Sequence, residues 1–321
     1  MKKLLFALTV LLIGMAGVLY LSPAALITSM RLFEQQVAGL SSKQITVGDL
    51  SIHYYEGGPR DAETLLLVHG FGADKDNWLR FARYFTERYH VIALDLPGFG
   101  DSSRPHASYD VGTQAERIAA FVTALDAGPL HLVGNSMGGH ISALYAARYP
   151  QQIRSLGLFD TSGIQAPRKS EFMALLEDGA ANPLLVRSPE DFERLLRFVF
   201  VEPPALPRTV KQYLAERAMA NNAHYQAVFE QLVTRYIPLE PELGKITAPT
   251  LLLWGDQDRV LDVSSIEVMR PLLQHPSVVI MQACGHAPMI ERPAETAAHY
   301  QAFLDAIAKA GSPVENKKPA R

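Results

Sequence analysis

The sequence predicts an α/β protein: a mostly parallel sheet flanked by helices, with a helical cap inserted into it and a transmembrane helix at the N-terminus. Three observations predict this. Short apolar runs recur between helix-like stretches, the pattern of parallel strands buried on both faces. That alternation lapses between residues 161 and 244, where only helical apolar spacing is found. At the N-terminus, Leu4 to Leu21 carry no charge.

That N-terminal run follows Lys2 and Lys3, and as a helix it would span roughly 27 Å, close to the hydrocarbon thickness of a bilayer. Residues 1–23 therefore read as an anchor. The run is longer than a secretory h-region and is followed only by SPA at Ser22 to Ala24, so signal cleavage and secretion is the alternative reading. Lys2, Lys3 and the α-amino group outweigh Arg31, which Glu34 offsets, so the rest of the chain is expected on the non-cytoplasmic side, the periplasm of a Gram-negative cell. Residues 24–42 read as an amphipathic juxtamembrane helix, with Leu26, Met30, Phe33, Val37 and Leu40 on one apolar stripe. Such a stripe needs a cover. The membrane surface, the protein's own domain and a homodimer through residues 26–40 all fit its spacing.

The α/β core is expected in two parts. Residues 43–160 open with ITVGDLSIHYYEGG, a hairpin turning at Gly48-Asp49, and continue through the apolar runs within TLLLVHG, HVIALDLPG, PLHLVGNS and IRSLGLFD. Residues 161–244 form the cap. Residues 245–308 return to the sheet with PTLLLWGDQD and SVVIMQAC, and 309–321 read as a disordered tail.

Composition excludes several classes of function. A chain of 321 residues, 48% hydrophobic and 20% charged, can bury a sizeable core. Its net charge of −3, with scattered basic residues, offers no face for nucleic acid. The single cysteine, Cys284, excludes an intrachain disulfide and a cysteine metal cluster, and reads as a small buried hydrophobe. No group of residues has the spacing of a metal or phosphate site, so neither metal nor cofactor is expected.

The chemistry gathers where strands end. HGFG (His69 to Gly72), GNSMG (Gly134 to Gly138), GDQD (Gly255 to Asp258) and GHAPMIERP (Gly285 to Pro293) each follow an apolar run. A serine between glycines at a strand-to-helix corner can hold a strained backbone that only small neighbours allow. The pentapeptide alone is a weak signal; four motifs in one order are a strong one. In that order, serine then aspartate then histidine, the chain resembles the α/β-hydrolase superfamily. The resemblance implies Ser136 as nucleophile, His286 as general base and Asp258 as its orienting acid, with the N–H groups of Phe71 and Met137 as oxyanion hole and His69, Gly70 and Asn135 in support. A serine hydroxyl needs an imidazole to take its proton, and the imidazole needs a carboxylate to fix its tautomer.

Asp160 of GLFDTSG is the alternative acid, from an earlier strand end, Asp256 lies two residues from Asp258, and Asp95 reads as a loop brace. Serine in the elbow argues against the epoxide hydrolases and haloalkane dehalogenases of the superfamily, which use aspartate there. The N-terminal helix is similar to that of membrane-anchored bacterial phospholipases A. The implied activity is carboxylic-ester hydrolysis of acyl lipids, of lipase or phospholipase A type, or of small esters. Two alternatives are a carbon–carbon bond hydrolase, whose elbow can also read GNSMGG, and an inactive membrane-tethered binding protein. Phe172, Met173, Leu175, Leu176, Leu195, Leu196, Phe198, Val199 and Phe200 give the cap more apolar side chains than a thin layer is expected to bury, so two readings stand: some line an acyl groove, or they simply pack the cap onto the core.

Overall fold

The computed structural model of the chain describes residues 22–311. Its strands are β1 (Leu40–Val47), β2 (Leu50–Gly57), β3 (Thr64–Val68), β4 (His90–Leu94), β5 (Leu130–Asn135), β6 (Ile153–Phe159), β7 (Thr250–Gly255) and β8 (Pro276–Met281). They lie side by side in the order β1-β2-β4-β3-β5-β6-β7-β8. β1 and β2 form a hairpin with Val47 opposite Leu50, so Gly48 and Asp49 make the turn. β2 is antiparallel to β4, and every later pairing is parallel. β3, β5 and β7 are buried along their whole length, because helices cover both faces of the sheet.

The longer helices are α1 (Pro23–Val37), α2 (Val111–Ala124), α3 (Met137–Arg148), α4 (Glu171–Glu177), α5 (Pro189–Val199), α6 (Arg208–Ala220), α7 (Asn222–Thr234), α8 (Ser265–Leu272) and α9 (Pro293–Gly311). One face of the sheet packs on α2 and α3 through Leu66, Leu132, Ile118, Phe121 and Ile141. The other packs on α9 and the short helical turn Leu79–Ala82 through Leu65, Val133, Phe81, Phe159 and Tyr300. Between β6 and β7 the described residues are helical and irregular only, with α4 to α7 and a short turn at Glu240–Leu243.

Three expectations need correcting. The juxtamembrane helix starts at Pro23, where the Ser22 hydroxyl accepts from the Ala25 N–H, and stops at Val37, not at residue 42. Gly39 takes a left-handed φ of 64°, which ends the helix and frees Leu40 to begin β1. The predicted stripe is therefore broken. α1 docks on its own chain by a different, partly polar face: Arg31 pairs with Asp76, Glu34 with Arg80, and Gln35 donates to the Tyr55 hydroxyl. Leu32, Phe33 and Val37 stay exposed, and nothing among the described residues supports a homodimer through 26–40. At the other end, α9 continues through Lys309 to Gly311, so the first residues of the expected tail are helical.

The apolar side chains between β6 and β7 are mostly consumed by packing. Phe172 and Phe198 pack on Val260 with Leu175, Leu176 and Phe229, and Leu195 and Leu196 pack around Val186, Phe192 and Ala215. Four helices bury more than a thin layer would. Of the expected anchor, 1–23, all but Ser22 and Pro23 lies outside the described residues, as does most of the expected tail, 312–321; among the described residues no helix is long and apolar enough to cross a membrane.

Candidate active site

β5 runs into α3 through a corner with almost no free volume. A Cβ on Gly134 would lie 2.2 Å from the Gly138 carbonyl oxygen, and one on Gly138 would lie 2.4 Å from the carbonyl oxygens of Val68 and His69. Glycine at both positions lets α3 begin directly beside the end of β3. Ser136, between them, is forced to φ 56° and ψ −122°, a conformation rare for a residue with a Cβ. Its backbone is pinned on both sides: its N–H donates to the Phe159 carbonyl, and its carbonyl accepts from His140 and Ser162. The Met137 N–H is the first of α3, and has no acceptor within its own helix.

The loop after β3 passes directly over Ser136. A Cβ on Gly70 would sit 3.1 Å from the Ser136 Cβ and 3.2 Å from the Asn135 carbonyl oxygen, so the approach is tight and a side chain here would make its neighbours give by a few tenths of an ångström. His69 is fully buried and lies 3.0 Å from the Leu96 N–H through Nε2 and 2.8 Å from the Gly70 carbonyl through Nδ1. Nε2 must accept from the amide, which puts the proton on Nδ1; burial lowers the pKa of the ring and favours this neutral form. The base of the loop is held by Asp95, whose carboxylate accepts from the Lys75 N–H at 2.7 Å, the Lys75 ammonium at 2.6 Å and the Asp101 N–H at 2.9 Å. Phe71 is fixed above by edge contacts to Phe99, Tyr225 and Phe229.

His286 Nδ1 lies 2.8 Å from Asp258 Oδ2, with both residues buried. The other Asp258 oxygen accepts from Val260 N at 2.7 Å and Leu261 N at 3.1 Å, so the carboxylate is fixed at both ends. Asn135 joins this cluster to the elbow, donating from Nδ2 to the carbonyls of Phe159 and His286. The structure thus brings Ser136, Met137, Gly70, Asn135, Asp258 and His286 to one end of the sheet. No hydrogen bond between Ser136 Oγ and His286 is present among the described residues. Asp256 instead ties its loop to Cys284, whose N–H lies 3.4 Å from Asp256 Oδ1. Asp160 is buried beside Asp258 and donates its backbone N–H to Leu253.

Sequence reasoning assigned no role to the groups that strap the inserted helices to these loops. The His286 N–H donates to the Val199 carbonyl at 2.8 Å, and the Glu291 carboxylate accepts from the N–H groups of Gly285, Val201 and Glu202. Arg259, next to Asp258, forms two bonds to the Glu171 carboxylate and one to the Arg197 carbonyl. A crevice of about 420 Å³ opens where these meet, lined by Phe200, Val201, Asp258 and Arg259.

Comparison with known proteins gives a consistent result. The family described as "alpha/beta hydrolase fold" matches residues 63–293. Lipase 3 of Moraxella sp. (strain TA144) is 39% identical over 284 residues, covering 86% of this chain and 89% of its own. Human monoacylglycerol lipase ABHD6 is 30% identical over 309 residues, covering 92% and 90%. The crystal structure described as a membrane phospholipase A, a novel bacterial virulence factor, superposes with a TM-score of 0.89 at 65% identity, covering 96% of this chain and 99% of that one.

Proposed function

The chain belongs to the α/β-hydrolase-fold family, and from that membership we propose that it is a serine carboxylic-ester hydrolase of acyl lipids, working through Ser136, His286 and Asp258. The observation that carries this reading is the buried hydrogen bond between Asp258 and His286 at the same sheet end as a strained serine elbow. Ser136 Oγ adds to the ester carbonyl carbon while its proton passes to His286 Nε2. Nδ1, hydrogen-bonded to Asp258, keeps Nε2 available as the acceptor. The carbonyl oxygen takes the negative charge and is met by the N–H groups of Met137 and Phe71; each such donor contributes about 3 kcal/mol where water is excluded. Return of the proton from His286 to the alkoxide leaving group releases the alcohol and leaves an acyl-serine. Water, deprotonated by His286, then releases the fatty acid and restores Ser136.

A phospholipid is the preferred substrate. Relatives named lipases and a related structure described as a membrane phospholipase support an acyl-lipid substrate, and the uncharged run of residues 4–21 supports a place at a membrane, with the catalytic domain on the non-cytoplasmic side. Assay of the full chain on phospholipid, triacylglycerol, monoacylglycerol and a carbon–carbon hydrolase substrate tests this. Ester turnover with fluorophosphonate labelling that disappears in Ser136→Ala is expected; labelling that persists in Ser136→Ala would remove the nucleophile assignment. An export-dependent reporter fused after Arg321 should be active, and a silent one would reverse the topology.

A further inference from the structure

We propose that Asp160 is a proton-carrying positioning residue: its neutral carboxylic acid donates a hydrogen bond to the Asp258 carboxylate and holds it in register for His286. This rests on the Ser136, His286 and Asp258 assignment above.

Asp160 immediately follows β6 and is completely buried, with a left-handed φ of 43° that a residue with a side chain seldom adopts. Its Oδ1 accepts from the Gly255 N–H at 2.8 Å, which ties the end of β6 to the end of β7. Its Oδ2 is buried with no hydrogen-bond partner. A carboxylate oxygen of Asp160, one of Asp258 and a ring nitrogen of His286 all lie within 4.8 Å of one another. Two buried carboxyl groups this close cannot both hold a negative charge, so one proton must stay.

The donors decide which group keeps it. Asp258 receives three hydrogen bonds, from Val260, Leu261 and His286, whereas Asp160 receives one, from Gly255. The charge therefore settles on Asp258. The ionisable groups around Asp160 are Asp258, His286, Glu291 and the Cys284 thiol. Burial, and then the charge of Asp258, hold the Asp160 carboxyl well above the usual carboxylate range, against the single opposing pull of the Gly255 N–H. A proton on Oδ2 satisfies the orphaned oxygen and gives Asp258 a fourth donor. No charge is added beside His286.

Asparagine reproduces a neutral acid here, because its carbonyl can accept from Gly255 and its amide can donate to Asp258. Leucine does neither. The test is kcat and KM against pH for the full-length chain in detergent micelles, using a p-nitrophenyl ester, for wild type, Asp160→Asn and Asp160→Leu. Asp160→Leu should lower kcat by about tenfold to a hundredfold with little change in KM, the cost of stranding buried polar groups. Asp160→Asn should restore most of that loss and keep the acid limb of the profile within about 0.3 pH unit of wild type. An ionised Asp160 would act differently: removing its charge would shift the acid limb down by about a unit or more, and that result overturns the proposal.

Should Asp160→Leu not fold, the infrared difference spectrum between wild type and Asp160→Asn at neutral pH decides the matter. A protonated-carboxyl C=O band present only in wild type supports the proposal, and its absence overturns it. Fluorophosphonate labelling separates this from the underlying triad assignment. If Asp258→Asn labels as fast as wild type, the triad reading fails; if Asp258→Asn labels slowly while Asp160→Asn moves the acid limb, only the role of Asp160 fails.

Discussion

Asp258 divides its two oxygens between loop and base: one is held by two backbone amides, the other by His286. An amide in its place could keep the shape but would present the wrong hydrogen-bonding groups to Nδ1, so the imidazole would turn its other tautomer toward Ser136. Asp258→Asn is therefore expected to lower kcat by about 10⁴-fold while the thermal unfolding midpoint hardly changes, read from ester hydrolysis and calorimetry on the same preparation. At this scale the meeting of the motifs was legible, because HGFG, GNSMG, GDQD and GHAPMIERP each follow an apolar run and parallel strands bring such ends together, Gly70 against Ser136 and Asp258 against His286. Glu291 lay within one of those motifs without a role, and Arg259 lay just beyond another. Both act mainly on backbone groups of Val201, Glu202, Gly285 and Arg197, or on an acid distant in sequence. Backbone partners leave no mark in a sequence pattern.

Among the elements, the elbow helix α3 is the most constrained. Its second residue is in contact with the end of β3, and Gly138→Ala would push a methyl into the Val68 and His69 carbonyls, 2.4 Å away. A loss of about 1–3 kcal/mol is expected, measured by urea unfolding, with activity falling further because the displaced groups carry the Gly70 loop. The same helix carries His140, whose Nε2 lies 2.8 Å from the Ile237 carbonyl beyond α7. Burial holds its pKa down, to about 4 against an ordinary 6.5. A histidine depressed on folding stabilises fully above the unfolded value, and this contribution is lost as pH falls from 6.5 through 4. About 3 kcal/mol is the upper bound. Unfolding midpoints of wild type should drop across that window, and His140→Gln, which does not titrate, should flatten the slope. Element types were legible from burial period and glycine placement; the docking face of α1 was not. Its stripe was read from apolar spacing alone, whereas Arg31, Glu34 and Gln35 find charged or hydroxyl partners that the sequence places 20 to 46 residues away.

Across the whole molecule, the sheet end that carries Ser136, Asp258 and His286 is roofed by helices fastened to the core at separate points, among them His224 on Gly98, Gln231 on Tyr109, Val199 on His286 and the Arg259 cluster. Arg259 is one of them. Its ion pair with Glu171 is about half exposed, so Arg259→Ala should cost under about 1 kcal/mol of global stability. The loss of its bond to the Arg197 carbonyl frees the insertion locally, and limited proteolysis should cut between α4 and α5 faster than in wild type. Unchanged cleavage would show that the remaining fasteners suffice. α1 also lies against α6 of the insertion as well as against β1, so the segment that would emerge from a membrane touches both layers of the enzyme.

The bond from the His286 amide to the Val199 carbonyl has a kinetic consequence. Val199 holds the main chain of His286, whose ring and carbonyl Asp258 and Asn135 hold from the core, so lifting the insertion as a body would pull on this residue. Catalysis is therefore expected with the roof down. Turnover plotted against substrate concentration should rise smoothly through the point where monomers give way to micelles, with no abrupt gain at the interface.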